Sequence, residues 1–163
     1  MARKSIYLAS PLGFADSTRG FMNELVTSLE AIVDVENPWD DLRFAGEFQA
    51  VQRIDSVKER RERLTRVNTE IGRCNVARID ASDGLFAILD GVDVDSGTAA
   101  EIGYAFAAGK YICGLRTDFR LAGDNEAAIV NLQVQYFIVA SGGRVATSSP
   151  ELVELAKVFS GSE

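Results

Sequence analysis

Residues 84–103 read GLFAILDGVDVDSGTAAEIG, and this stretch decides the fold class. The run from Gly84 to Leu89 is short and apolar, which is typical of a strand buried on both faces. A turn rich in aspartate and glycine follows, and a helix then begins near Thr98. Acidic side chains therefore follow the carboxyl end of a strand, where α/β sheets usually bind their ligands.

Strands alternate with helices along the rest of the chain, which predicts a single α/β domain over residues 1–163. The predicted strands are 5–9, 33–36, 84–89, 111–115 and 136–139. The predicted helices are one capped by Asp16 or Ser17, a long one over 54–79, and others at 98–109, 125–132 and 150–159. Residues 40–52 show no clear period and are expected to form a mobile loop over the site. This alternation implies a mainly parallel sheet with right-handed crossovers, and five strands predict the order 2-1-3-4-5.

Composition narrows the possible functions. The net charge of -7 disfavours nonspecific binding to nucleic acid, which needs a basic surface. The basic run from Lys58 to Arg66 contains two glutamates and is interpreted as a solvated helix face. No apolar stretch is long enough to span a membrane, and the amino terminus from Met1 leads into a strand without a secretory segment. The two cysteines, Cys74 and Cys113, form no C-x-x-C motif, so we expect reduced thiols in a cytoplasmic protein.

The chain contains no histidine. Ser-His-Asp and Cys-His catalysis are therefore excluded, as are metal sites that need imidazole. Acid-base chemistry must use carboxylates, tyrosine, lysine or cysteine.

A candidate site follows from the predicted strand order. The switch point lies between the first and third strands, so the loops at 9–14 and 90–97 face each other there. This geometry joins Tyr7, Phe14, Asp95 and Glu101 into one site.

Each of these residues also has a structural interpretation. Thr98 to Glu101 forms a capping box, in which Glu101 would bind the amide at the start of the helix. The two interpretations overlap, because a carboxylate in the first helical turn stays ionised and could act as a nucleophile. Asp90 and Asp93 are typical of turns or of a magnesium site. Tyr7 could simply pack in the core.

Three segments together resemble the nucleoside 2-deoxyribosyltransferases. They are Ile6-Tyr7-Leu8-Ala9-Ser10-Pro11-Leu12, Asp83-Gly84-Leu85-Phe86-Ala87-Ile88-Leu89-Asp90 and Asp95-Ser96-Gly97-Thr98-Ala99-Ala100-Glu101-Ile102-Gly103-Tyr104-Ala105. The resemblance implies a flavodoxin-like three-layer sandwich and transfer of 2'-deoxyribose between nucleobases, without a metal or an organic cofactor. It also implies a homo-oligomer, a dimer or a hexamer, in which one subunit completes the site of its neighbour.

The resemblance assigns roles to individual residues. Glu101 would be the nucleophile, Asp95 would help to protonate the base, and Tyr7 would orient Glu101. Asn131 would come from the neighbouring subunit to hold the sugar 5'-hydroxyl. The candidate substrate-binding residues are Ser10, Leu12, Phe14, Asn75, Ser96, Gly97 and Asn131.

One departure concerns Asn75, which stands where many members carry a second aspartate that contacts the base. An amide can donate and accept hydrogen bonds but cannot transfer a proton at neutral pH. Two alternative functions remain open. One is hydrolysis of deoxynucleoside 5'-monophosphates by the same glutamate, and the other is a nucleotide-binding module without turnover, in which Glu101 is only a cap.

Overall fold

A computed structural model of the chain describes residues 2–161, so the outermost predicted domain limits, residues 1 and 163, lie outside the described residues. Its centre is a five-stranded sheet in which every neighbouring pair is parallel, with order β2-β1-β3-β4-β5. The strands are β1 (Ser5–Ala9), β2 (Asp34–Glu36), β3 (Gly84–Ile88), β4 (Tyr111–Leu115) and β5 (Val145–Ala146). The predicted α/β fold and strand order are therefore confirmed.

Helices cover both faces of the sheet. They are α1 (Asp16–Glu30), α2 (Leu42–Gln52), α3 (Val57–Ala81), α4 (Ser96–Ala107), α5 (Leu132–Ala140) and α6 (Ser149–Ser160). Because side chains alternate along a strand, Ile6 and Leu8 of β1 pack with α1 and α6, whereas Tyr7 packs on the opposite face with α3, α4 and α5. All five residues of β3 are buried, as expected for a central parallel strand. No helix among residues 2–161 is long and apolar enough to cross a membrane.

The structure corrects two predictions in the carboxyl-terminal part of the chain. Residues 136–139 lie in helix α5, because Asn131 caps that helix and Val134 and Ile138 bury one of its faces. The fifth strand is instead the two-residue Val145–Ala146. The helix predicted at 125–132 is not formed, since α5 begins only at Leu132.

The prediction for residues 40–52 was also wrong, because most of this segment forms helix α2. Asp41 caps α2 through a side-chain bond to the backbone amide of Arg43. Glu47 pairs with Arg63 of α3 at 2.9 Å, which fixes α2 against the long helix. At α1, the residue before the helix is Ala15, which makes no side-chain cap, so neither Asp16 nor Ser17 caps it.

Two close contacts fix the loops at the carboxyl edge of the sheet. A Cβ on Gly13 would lie 2.0 Å from Cδ2 of Trp39, so only glycine allows the loop after β1 to pack on that indole. The buried Arg116 donates to the carbonyl oxygens of Leu89 at 2.6 Å and Gly91 at 3.2 Å, which ties the loop after β3 to the end of β4. Both loops border the predicted site.

Candidate active site

A cavity of about 260 Å³ lies beyond the carboxyl ends of β1 and β3, at the predicted switch point. Its lining combines aromatic side chains with carboxylates, an amide and one guanidinium. The lining residues are Ser10, Phe14, Pro38, Trp39, Phe44, Ile71, Asn75, Arg78, Asp95, Gly97, Thr98 and Glu101. A concave, mainly apolar site with a few converging polar groups is typical of a small-molecule pocket.

Glu101 is held by two hydrogen bonds to one carboxylate oxygen. The Tyr7 hydroxyl donates to Oε1 at 2.7 Å, and Nδ2 of Asn75 donates to the same oxygen at 3.2 Å. Burial, with a further contribution from the negative charge of Asp95, raises the pKa of Glu101, while the hydrogen bonds from Tyr7 and Asn75 oppose that rise. The second oxygen, Oε2, accepts no hydrogen bond from the described residues and is available to contact a ligand.

The capping-box interpretation of Glu101 is wrong. Asp95 is the capping residue of α4, and its Oδ2 accepts from the backbone amide of Thr98 at 3.0 Å and from the Thr98 hydroxyl at 3.4 Å. Glu101 lies in the second turn, beyond reach of the free amides at the helix start. Its carboxylate is therefore oriented by Tyr7 and Asn75 and not by the end of its own helix.

Tyr7 is completely buried, and its hydroxyl has Glu101 as its partner. Burial raises the pKa of Tyr7 far above its usual range, and the charge of Glu101 and their hydrogen bond add to the rise, whereas the charge of Arg78 opposes it. The hydroxyl therefore stays protonated and acts as a fixed donor to the carboxylate.

The other two aspartates of the acidic loop have structural roles. Asp90 accepts from the amide of Thr117 at 2.6 Å and the amide of Asp118 at 2.8 Å, which joins the loops after β3 and β4. Asp93 accepts from the amide of Val94 at 2.7 Å within its own turn. Within residues 2–161, no group of three or more His, Cys, Asp or Glu side chains is arranged to hold a metal ion.

Aromatic side chains form the outer wall of the cavity. The rings of Phe14 and Trp39 meet edge to face with centroids 4.6 Å apart, and Phe14 is 78% exposed. The Trp39 indole donates to the carbonyl oxygen of Ser10 at 2.8 Å, which fixes its orientation. Phe44 of α2 completes this wall, so the segment predicted as a loop contributes a lining residue.

The structure brings together most of the predicted substrate-binding residues, but not all of them. Leu12 and Ser96 are close in sequence to lining residues but do not line the cavity themselves. Leu12 instead packs against the core beneath α1 and α6. Asn131 lies at the start of α5, where its Oδ1 accepts from the amides of Gln133 and Val134. It does not line the cavity of its own chain.

Arg78 was missed by the sequence prediction. It follows Ile71 and Asn75 at helical spacing on α3, and this i, i+4, i+7 stripe could have identified it. Its Nη2 donates to Oδ2 of Asp41 at 2.6 Å, and the Asp41 side chain is only 5% exposed. Hydrogen bonds from Arg43 and Arg78 hold the pKa of Asp41 well below its usual range. A charged pair thus anchors the start of α2 to the cavity wall.

Comparison with known proteins identifies relatives of this chain. Residues 6–133 match the family model described as nucleoside 2-deoxyribosyltransferase. A conserved protein from Enterococcus faecalis is 28% identical, with 97% of this chain and 99% of that chain covered and a TM-score of 0.66. No curated protein matches the chain.

Two further solved structures share the fold at lower identity. The 2-desoxiribosyltransferase from Leishmania mexicana is 22% identical over 94% of this chain and 97% of that chain, with a TM-score of 0.64. The CMP N-glycosidase from Clostridium botulinum is 17% identical over 93% and 97% of the two chains, with a TM-score of 0.55.

Proposed function

This chain belongs to the nucleoside 2-deoxyribosyltransferase family, and from that premise we propose that it transfers 2'-deoxyribose between nucleobases in nucleoside salvage. The observation that carries the proposal is the carboxylate of Glu101, held in the cavity by Tyr7 and Asn75 with its second oxygen available to a ligand. A positioned carboxylate of this kind is what a glycosyl nucleophile requires.

The reaction is a double displacement with retention at C1'. Glu101 attacks C1' of the donor deoxynucleoside, and a glutamyl ester to deoxyribose forms as the C1'–N bond breaks. The electron pair of that bond leaves with the base, which takes the proton of the protonated Asp95 carboxyl and leaves Asp95 ionised. The acceptor base then attacks C1', gives its proton back to Asp95, and releases the carboxylate of Glu101.

Asp95 is suited to this proton transfer because its two carboxylate oxygens have different roles. Oδ2 is engaged in capping α4 through Thr98, which holds the side chain in place. Oδ1 accepts no hydrogen bond from the described residues, so it is available to a nitrogen of the base. The exposed ring of Phe14 and the indole of Trp39 would cover the flat face of that base.

The proposal extends to a homo-oligomer in which Asn131 completes a neighbouring site. Helix α5 supports this extension, because Leu132, Tyr136 and Val139 present an apolar stripe that is 52%, 58% and 59% exposed. Analytical ultracentrifugation tests it. We expect a dimer or a larger assembly, which Tyr136→Glu dissociates with loss of transfer, and a fully active monomer would contradict it.

Transfer itself is tested by incubating the enzyme with deoxyinosine and adenine and following deoxyadenosine by chromatography. We expect ping-pong kinetics, a burst of hypoxanthine equal to the number of sites, and a mass increase of one deoxyribosyl group on the peptide that contains Glu101. The Glu101→Ala variant should lose all three signals.

The same assay separates the alternative functions. Release of base from deoxyinosine 5'-monophosphate, with no product from added adenine, would identify a hydrolase of nucleotides. Binding of deoxyinosine without any burst would identify a module without turnover. Either result would overturn the transferase assignment.

A further inference from the structure

Helix α3 presents two polar side chains to the cavity from adjacent turns. Asn75 and Arg78 are three residues apart, so they lie on the same face of the helix, and both line the cavity. Ile71, one turn earlier, extends this face with an apolar side chain. The wall formed by α3 therefore offers a paired set of polar groups to a ligand.

The orientation of the Asn75 amide follows from its bond to Glu101. An ionised carboxylate only accepts hydrogen bonds, so the group within 3.2 Å of Glu101 Oε1 must be the amide nitrogen of Asn75. The amide oxygen, Oδ1, accepts no hydrogen bond from residues 2–161. Asn75 therefore offers a ligand an acceptor.

Arg78 offers only donors, and its position is fixed. Its Nη2 donates to the buried carboxylate of Asp41, which Arg43 also binds through Nη2 at 2.6 Å. Nε and Nη1 of Arg78 donate to no other group in the part of the chain that the structure describes. A guanidinium has no acceptor, and its planar shape holds the remaining N–H groups in a fixed direction.

We propose that Asn75 and Arg78 together recognise a lactam unit of the nucleobase, a ring carbonyl next to a ring N–H. Arg78 donates to the carbonyl oxygen, and Oδ1 of Asn75 accepts from the N–H. Hypoxanthine, guanine, uracil and thymine carry this unit. On the ring edge away from the nitrogen that bonds to the sugar, adenine and cytosine carry the reverse pattern, an amino donor next to an acceptor nitrogen. The proposal rests on the transferase function proposed above, and adds to it the class of base that this site selects.

The site discriminates against adenine and cytosine because these bases would set a donor against a donor and an acceptor against an acceptor. The amino group of adenine would point an N–H at the guanidinium of Arg78, and the adjacent ring nitrogen would face the oxygen of Asn75. Both protein groups would then be desolvated without a partner. A well-placed pair of hydrogen bonds typically separates two bases by roughly ten- to a hundredfold.

Two pairs of acceptor bases test the proposal with a common deoxynucleoside donor. Hypoxanthine is compared with adenine and uracil with cytosine, so that each comparison keeps the ring size and changes the hydrogen-bonding pattern. We expect kcat/KM to favour the lactam base in both pairs by about ten- to a hundredfold. Equal use of the two bases, or a preference for adenine or cytosine, would overturn the proposal.

Variants at the two arginines that bind Asp41 connect the preference to Arg78. Arg78→Met removes the N–H donors of a side chain that lines the cavity, and it should bring both ratios near one by slowing the lactam bases. Arg43→Met removes the other partner of Asp41 and does not touch the cavity, so it should keep the ratios of the unaltered enzyme. An equal loss for all bases in Arg78→Met would contradict base recognition. If Arg78→Met does not fold, Arg78→Lys should fold and lower the ratios, because its ammonium lacks the planar fork.

Direct binding separates this proposal from the proposed function. If no base is transferred, calorimetric titration of the unaltered protein with hypoxanthine and adenine still measures the preference. Tighter binding of hypoxanthine without transfer would support base recognition and refute the transferase. Transfer without a preference in binding or in kcat/KM would do the reverse.

Discussion

Removal of one hydroxyl, by Tyr7→Phe, is the sharpest test of the proposed role of Glu101 as the nucleophile. The ring of Tyr7 is completely buried and would be kept, so the core beneath the site should stay intact. The change removes the donor at 2.7 Å from Oε1 of Glu101, and leaves Asn75 as the remaining donor to that oxygen. The perturbation is therefore confined to the orientation and the charge of one carboxylate.

The size of the effect follows from the kind of bond that is lost. A hydrogen bond to a charged group contributes about 1.5–3 kcal/mol. Since each 1.36 kcal/mol is a factor of ten in rate, kcat for transfer should fall by roughly ten- to 150-fold. The hydrogen bond from Tyr7 also lowers the pKa of Glu101, so its loss should raise that pKa further. In the proposed reaction only the ionised carboxylate attacks, so the acid limb of kcat/KM should move to higher pH.

The assay is initial-rate transfer from deoxyinosine to adenine over a range of pH, with thermal melting as a check on folding. Tyr104→Phe is the matched control, because its hydroxyl donates to Asp80 at 2.9 Å on the surface and does not reach the cavity. It should keep both the rate and the pH profile. A folded Tyr7→Phe enzyme with full activity, or with an unmoved acid limb, would refute the role given to Tyr7.

Three further substitutions have outcomes set by the structure. Burial raises the pKa of Glu101, so its ionised form opposes folding, and Glu101→Gln should raise the melting temperature at pH 7. The gain should disappear below about pH 4, where the carboxyl is protonated in both the folded and the unfolded chain; a gain that persists there would contradict this cause. Asp95→Asn should change the free energy of unfolding by less than about 0.5 kcal/mol, since asparagine caps helices equally well. Transfer should slow by about 10²- to 10⁴-fold, because an amide cannot deliver a proton. Gly13→Ala should lower the free energy of unfolding by about 1–3 kcal/mol, because its Cβ would overlap the Trp39 ring. In the control Gly72→Ala, the added Cβ meets open space in α3, so the free energy of unfolding should rise by about 0.5–1 kcal/mol. Both free energies are measured by urea unfolding, and equal effects at the two glycines would contradict the packing argument.

The sheet was predictable because its central strands are apolar runs with clear boundaries. The apolar runs that contain β3 (Gly84–Ile88) and β1 (Ser5–Ala9) identify these strands directly from the sequence. The strand β5 was not predictable in this way, because two residues, Val145 and Ala146, give no periodic signal. The aromatic and β-branched residues at 136–139 favour a strand by composition, and the cap formed by Asn131 overrides that preference.

The site was only partly predictable, since its residues come together through packing between helices. Tyr7, Asp95 and Glu101 follow from strand order and from the resemblance. Asp95 and Glu101 line one cavity, and the buried Tyr7 donates to Glu101 without lining it. The positions of Phe44 and Arg78 in the cavity wall depend on how α2 packs on α3. The ion pair that joins these helices links Arg78 to Asp41, which lies 37 positions earlier. No local pattern in residues 40–52 predicts that contact. The spacing from Thr98 to Glu101 suggested a capping box, but the helix begins three residues earlier than that motif requires.

The bond between Tyr7 and Glu101 joins residues 94 positions apart, so we expect enzyme activity to appear late in folding. Tyr7 lies in β1, between β2 and β3, and Glu101 lies in α4, so the bond needs these elements packed together. Closing a loop of this length is among the slow steps available to a small domain. Recovery of enzyme activity should therefore coincide with recovery of the complete sheet during refolding, with no active species before it. In this chain, turnover reports on the tertiary structure as a whole.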